Sequence, residues 1–170
     1  EKGIEQPGEI LSALNRGVKD IFTQEGNQEA QDGMDMSLCV FEKSTDVDCQ
    51  KMSFAGANNS IVLLKKEGDI LEIKADRNSI GGVTEVDYEF TTQEILLSIG
   101  DSIYMYSDGY IDQFGGPKSK KFMKKKFKDL LLQIHQQPME DQHVKVKEVM
   151  KDWIGKGDQI DDILVIGIRI

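Results

Sequence analysis

Tyr104-Met105-Tyr106-Ser107-Asp108-Gly109 is the stretch on which the reading of this chain turns. An apolar strand, Ser102–Tyr106, runs straight into an aspartate and a glycine. Glycine at 109 lets the chain turn sharply and brings backbone close to whatever the carboxylate holds. The same arrangement recurs at Asp161-Asp162, just before Ile163–Ile170 (ILVIGIRI), the most apolar segment of the chain. Charged groups beside buried strands are costly unless they are paired or bound to a cation. Neither site has a Lys or Arg beside it, Lys156 being the nearest to Asp161. A hard divalent ion such as Mg²⁺ or Mn²⁺ satisfies clustered carboxylates through oxygen ligands. Each site alone also reads as an ordinary Asp-Gly turn or a solvated strand start. A third acidic cluster, Asp32-Gly33-Met34-Asp35, opens another strand and alone reads as solvated loop acids.

Outward from Asp108, the pattern is one of short strands. Gly100-Asp101 is a tight turn into Ser102–Tyr106. Upstream, Met34–Phe41, Lys51–Phe54, Ile61–Leu64, Ile70–Ile73, Tyr88–Phe90 and Glu94–Leu97 read as strands. Turns are expected through Thr45–Asp48, Ala55–Asn59 and Gly68-Asp69, and a loop over 24–31. Before them, Pro7 opens a helix whose apolar stripe is Ile10, Leu11, Leu14, Val18, Ile21 and Phe22. Downstream, Phe122, Phe127, Leu130, Leu131 and Ile134 mark one amphipathic helix. Met139, His143, Val146, Met150 and Trp153 mark a second. Strands in series, then a helix pair and a terminal strand, give an α+β fold.

Composition bounds the function. The chain has 170 residues, 39% hydrophobic, and a net charge of −9, which disfavours nucleic acid and anionic membrane surfaces as partners. No apolar run reaches membrane-spanning length. The cysteines, Cys39 and Cys49, show no paired motif, and Cys39 sits in an apolar run, so reduced thiols and a cytoplasmic setting are expected, a disulfide remaining the alternative. The sequence begins at Glu1 without a methionine, so a fragment or a processed chain is expected.

Taken in order, five stretches resemble the metal-dependent PPM (protein phosphatase 2C-like) serine/threonine phosphatases, in the branch of the bacterial stage II sporulation protein E family. They are Asp32–Leu38, Phe54–Asn59, Ile80-Gly81-Gly82, Gly100-Asp101 through Asp108-Gly109, and Gln159–Val165. The resemblance runs from the first helix to the last residue. It implies a β-sandwich flanked by helices in α/β/β/α layers, with residues 1–170 forming the C-terminal portion of a single phosphatase domain. It also implies metal ligation and a catalytic part for Asp108 and Asp161, with Asp162 beside them where relatives often carry asparagine. Asp32 matches the ligand of a weaker third ion, and Asp35 departs from the glycine of those relatives. The implied cofactors are two or more Mn²⁺ or Mg²⁺ ions. The implied activity is hydrolysis of phosphoserine or phosphothreonine by metal-activated water, on a regulatory protein of the anti-sigma-factor antagonist type.

The family's Gly-His-Gly motif has no counterpart here, since the histidines are His135 and His143, in the helical region. The N-terminal side of the domain is therefore expected to be missing, with weak turnover, open sheet edges and self-association, for instance as a homodimer. The parent protein would reach a membrane only through upstream domains. The competing class is a degenerate, non-catalytic domain that binds a phosphorylated partner. An aspartyl-phosphate hydrolase of the haloacid dehalogenase type needs an Asp-x-Asp pair, and residue 106 is Tyr. The lysine run 118–128 reads as a solvated helix face, Trp153 as a core anchor, and Phe114–Pro117 as either a flap or a rigid turn.

Overall fold

The computed structural model describes residues 3, 5–24, 32–42 and 48–170. In chain order they form α1 (Pro7–Gln24), β1 (Gly33–Met34), β2 (Met36–Phe41), β3 (Cys49–Ala57), β4 (Ile61–Leu64), β5 (Ile70–Ile73), β6 (Ile80–Gly81), β7 (Gln93–Ser98), β8 (Ser102–Tyr106), α2 (Asp108–Asp112), β9 (Phe114–Gly115), β10 (Lys120–Lys121), α3 (Lys124–Ile134), α4 (Met139–Ile154) and β11 (Val165–Arg169). The pairs β1–β6, β2–β3, β4–β5, β4–β8, β8–β11 and β9–β10 are all antiparallel, as an α+β chain with short connections should show. The residues fall into two compact units, Glu1–Ser60 with Lys74–Leu97 and Ile61–Ile73 with Ser98–Ile170. No helix among the described residues is long and apolar enough to cross a membrane.

The first unit is a three-stranded sheet, β2-β3-β7, with α1 packed against it and the β1–β6 pair beside α1. Leu11, Ala55, Ala57, Ile80 and Phe90 form its core, flanked by Val18, Met36, Leu38 and Tyr88. The helix does not bury the whole stripe the sequence suggested: Leu14 and Ile21 are exposed, while Ser12 and Asn15 are buried. Those two polar side chains bind neighbouring backbone. Ser12 Oγ donates to Gly8 O and accepts from Phe90 N, both at 2.9 Å. Asn15 donates to Glu85 O and accepts from Gly81 N, both at 2.8 Å. A loop thus satisfies its amides on a helix side chain instead of in a ladder, so Tyr88–Phe90 is no strand.

Other boundaries also move. The expected strand Met34–Phe41 breaks at Asp35, and β3 runs past Phe54 to Ala57, leaving the turn to Asn58 and Asn59. Asn58 adopts φ +55°, a left-handed conformation that asparagine tolerates. Its amide donates to Asp35 Oδ1 at 3.0 Å and Ser79 Oγ at 3.1 Å, which gives Asp35 a structural part. The expected loop 24–31 and turn 45–48 lie outside the described residues, apart from Gln24 in α1 and Asp48. Cys39 and Cys49 are both half-buried, and burial pushes the Cys39 thiol up to about 11.

The second unit is built on the sheet β11-β8-β4-β5. Val165 pairs with Tyr106 and Ile168 with Ile103, so the terminal strand begins two residues later than its hydropathy suggested. Val62, Leu64, Tyr104, Tyr106, Tyr110, Phe122, Phe127, Leu131 and Met150 form the core, with α3 and α4 packed against it. β11 is an edge strand, with Ile166 exposed in it and Leu164 exposed just before it. Lys124 and Lys128 both pair with Glu72, Lys121 with Asp112, and Lys125 with Asp129. Lys128, then Lys124, hold the Glu72 carboxyl below its usual value. Lys126 lies 3.5 Å from the centre of the Trp153 ring, a cation–π contact. The lysine run is therefore largely matched by local partners.

Phe114–Pro117 belongs to a hairpin, β9–β10, seated on Trp153. A Cβ at Gly115 would stand 2.0 Å from Trp153 O, so the hairpin lies flat only because residue 115 has no side chain. Replacing Gly115 with alanine should lift the hairpin and cost about 2 kcal/mol, read by chemical denaturation and by a shift in Trp153 fluorescence. A variant as stable as wild type with unchanged emission would refute the contact.

Asp101 is 1% exposed, and its carboxylate accepts from Lys65 Nζ at 2.7 Å, Ser98 N at 2.9 Å and Lys66 N at 3.1 Å. Burial pushes its pKa up, but Lys65 and the two backbone amides together outweigh this and hold it below the ordinary value. A depressed folded-state pKa stabilises the fold fully above the unfolded value, about 4, and that stabilisation is lost as pH falls through the folded value. Asp101→Asn should therefore destabilise the unit by about 2 kcal/mol at neutral pH. The gap from wild type should narrow below about pH 4; melting curves across pH that stay parallel would exclude this assignment.

Candidate metal centre

The chemistry-bearing turn starts where β8 ends. Tyr106 is the last residue paired with β11, and Ser107, with φ −79° and ψ 157°, redirects the chain into α2. Asp108 is the first residue of this five-residue helix and is exposed. The helix is seated by Tyr110, which is 1% exposed and donates its hydroxyl to Val146 O at 2.9 Å. Burial raises the Tyr110 phenol above its ordinary range and pushes Tyr106 up to about 12. Both stay neutral at physiological pH and act as anchors.

The segment carrying Asp161 and Asp162 closes onto this turn. Ser107 Oγ donates to Asp162 O at 2.8 Å and accepts from Leu164 N at 2.9 Å, while Ser107 N donates to Leu164 O at 3.0 Å. Gly109 makes the closest approach, because a Cβ there would stand 2.3 Å from Asp162 O and 3.4 Å from Asp161 C. Residues more than 50 positions apart in sequence are thus held backbone to backbone, and Asp108 and Asp161 flank one junction. Asp161 Oδ1 accepts from Asp162 N at 2.7 Å, and Gln159 donates to Asp161 O at 2.7 Å.

Among the described residues, none of the ion pairs takes up Asp108, Asp161 or Asp162, and all three are exposed. Exposed carboxylates without cationic neighbours, held on a fixed turn, are the hard oxygen donors that Mg²⁺ or Mn²⁺ takes, so Asp108 and Asp161 fit as part of a ligand set. No group of three or more His, Cys, Asp or Glu side chains able to hold an ion occurs among the described residues. Asp32 lies in the first unit, exposed at the start of β1, with its carbonyl accepting from Gly82 N at 3.0 Å. His143 is exposed, and His135 Nδ1 meets Leu132 O at 2.6 Å.

Two residues at this site escaped the sequence reading. Ser107 is one letter of the Ser-Asp-Gly stretch by sequence, yet it makes three of the bonds that close the junction. Gln113 was given no part, yet it is fully buried. A neutral amide beside Asp112, between the apolar Ile111 and Phe114 and following a glycine-marked turn, was the available signal.

Comparison with known proteins bears on the fold and the family. The SiaA-PP2C domain of Pseudomonas aeruginosa superposes with a TM-score of 0.80 at 24% identity, covering 99% of this chain and 63% of that one. The chain thus spans less than two thirds of that domain. The phosphatase domain of SpoIIE from Bacillus subtilis, presoaked with Mn, gives a TM-score of 0.55 at 18% identity, with 100% and 74% covered. PppA, a regulatory component of the type VI secretion system in Pseudomonas aeruginosa, gives 0.59 at 17% identity, with 94% and 66% covered. These likenesses show a PP2C-type fold. No curated protein matches the sequence. The family model for stage II sporulation protein E (SpoIIE) matches residues 1–170, and the chain belongs to that family.

Proposed function

We propose that this chain is part of a metal-dependent protein serine/threonine phosphatase acting in signalling. The observation that carries the reading is the junction at Ser107 and Gly109, which brings the Asp108 and Asp161 segments together from distant parts of the chain. In this reading Asp108 and Asp161 hold a divalent cation, Mn²⁺ or Mg²⁺, with Asp162 adjoining. Such an ion, when bound, lowers the pKa of water and offsets charge on phosphoryl oxygens. The chain's own contribution is placement: the helix seated by Tyr110 and the loop tied to Ser107 hold two carboxylates in fixed relation before any ion arrives. Asp32 is carried by family resemblance alone, as the ligand of a separate, weaker ion.

The substrate class in this reading is a phosphoserine or phosphothreonine on a small regulatory protein, of the anti-sigma-factor antagonist type. Its regulatory character is supported by the likeness to PppA, a regulatory component of the type VI secretion system, and the open β11 edge supports self-association. The non-catalytic reading, a domain that binds a phosphorylated partner without cleaving it, draws on the lack of a three-ligand group among the described residues.

The full-length protein with Mn²⁺ should release phosphate from p-nitrophenyl phosphate and from a phosphoserine peptide. Asp108→Asn and Asp161→Asn should each lower turnover roughly 100-fold or more, with folding intact by circular dichroism. Wild-type turnover in both variants would sink the assignment. Peptide binding without phosphate release by wild type would favour the non-catalytic reading.

A further inference from the structure

Gln113 ends α2, five residues after Asp108, and is 0% exposed. Its side-chain amide is fully engaged within the second unit. Nε2 donates to Phe114 O at 3.0 Å and to Asp158 O at 2.9 Å, and Oε1 accepts from Ile160 N at 3.2 Å. Its backbone carbonyl accepts twice more, from Trp153 Nε1 at 3.0 Å and Phe122 N at 2.9 Å. Two of these bonds grip Asp158 and Ile160, the residues just before Asp161.

The segment carrying Asp161 is therefore tied to α2 at both ends. Ser107, before the helix, holds Asp162 and Leu164; Gln113, after it, holds Asp158 and Ile160. Asp158–Ile160 has no ladder of its own, since it lies between α4 and β11. A backbone stretch without secondary structure takes its position from whatever satisfies its amides and carbonyls. Here one buried side chain supplies both an acceptor and two donated bonds, which a primary amide does without carrying charge.

We propose that Gln113 is a positioning residue that sets the Asp158–Asp162 segment against α2, and so sets Asp161 relative to Asp108. The metal-binding consequence rests on the phosphatase reading above; the placement of the loop does not. Residues that orient a ligand through hydrogen bonds typically change metal affinity by roughly 10–100-fold when altered.

The experiment compares Gln113→Met, similar in length but without either hydrogen-bonding group, with wild type and with Leu131→Ala in the full-length protein. Leu131 is a core residue of α3 and serves as a control for general destabilisation. Amide exchange of Ile160 to Asp162 should quicken about tenfold or more in Gln113→Met, beyond any change in Leu131→Ala. Mn²⁺ affinity, read by electron paramagnetic resonance, should fall roughly 10–100-fold in Gln113→Met alone. Should Gln113→Met fail to fold, Gln113→Glu keeps the acceptor for Ile160 and loses both donated bonds at neutral pH, and the same outcomes are expected. Unchanged loop exchange, or exchange no faster than in Leu131→Ala, would overturn the proposal. So would a loosened loop with unaltered Mn²⁺ affinity. A wild-type protein that binds no Mn²⁺ would count against the phosphatase reading, while loop exchange would still decide the placement by Gln113.

Discussion

The site depends on one constraint: a short helix that is hydrogen-bonded on both flanks to a segment arriving from the far end of the chain. Ser107 bonds Asp162 and Leu164, Gly109 lets the Asp162 carbonyl lie against the helix, and Gln113 bonds Asp158 and Ile160. A five-residue helix has almost no stability of its own. Its position comes from these bonds and from the aromatic side chains beneath it.

Those aromatics explain why the turn can be rigid. Tyr110 meets Phe122 at 5.3 Å and Phe127 at 4.9 Å between ring centres, and Phe127 meets Tyr106 at 4.7 Å. Phe122 in turn meets Trp153 at 5.3 Å, and Trp153 donates to the Gln113 carbonyl. Large side chains in tilted and edge-on contact bury much area with few rotatable bonds. The hydroxyls of Tyr104 and Tyr110 both find acceptors, Gln142 and Val146, so burying them leaves no polar atom stranded.

Above this packed layer the carboxylates stay in water. Asp108, Asp161 and Asp162 are exposed, whereas Asp101, also an aspartate following a strand turn, is buried and paired with Lys65. The contrast separates two uses of one residue type. Asp101 closes a turn and has its cation in the protein; the three at the junction enter no ion pair among the described residues, and the proposed reading assigns them to a metal. The lysines nearby do not alter this, because Glu72, Asp112, Asp129 and the Trp153 ring take most of them.

Much of this was legible in the sequence. Apolar runs located the strands Ile61–Leu64 and Ser102–Tyr106, buried on both faces, and apolar spacing located Ile70–Ile73 and both C-terminal helices. The Ser-Asp-Gly turn and the Asp-Asp pair were visible as carboxylates placed against apolar strands, and their order along the chain marked the family. Local pattern could not show that Ser12 and Asn15 take the buried face of α1 in place of Leu14, or that Tyr88–Phe90 bonds to a helix instead of a strand. Nor could it show that Gln113 reaches the loop before Asp161. A polar side chain gains from burial only when specific backbone groups distant in sequence arrive to meet it, and that arrival is decided by tertiary packing alone.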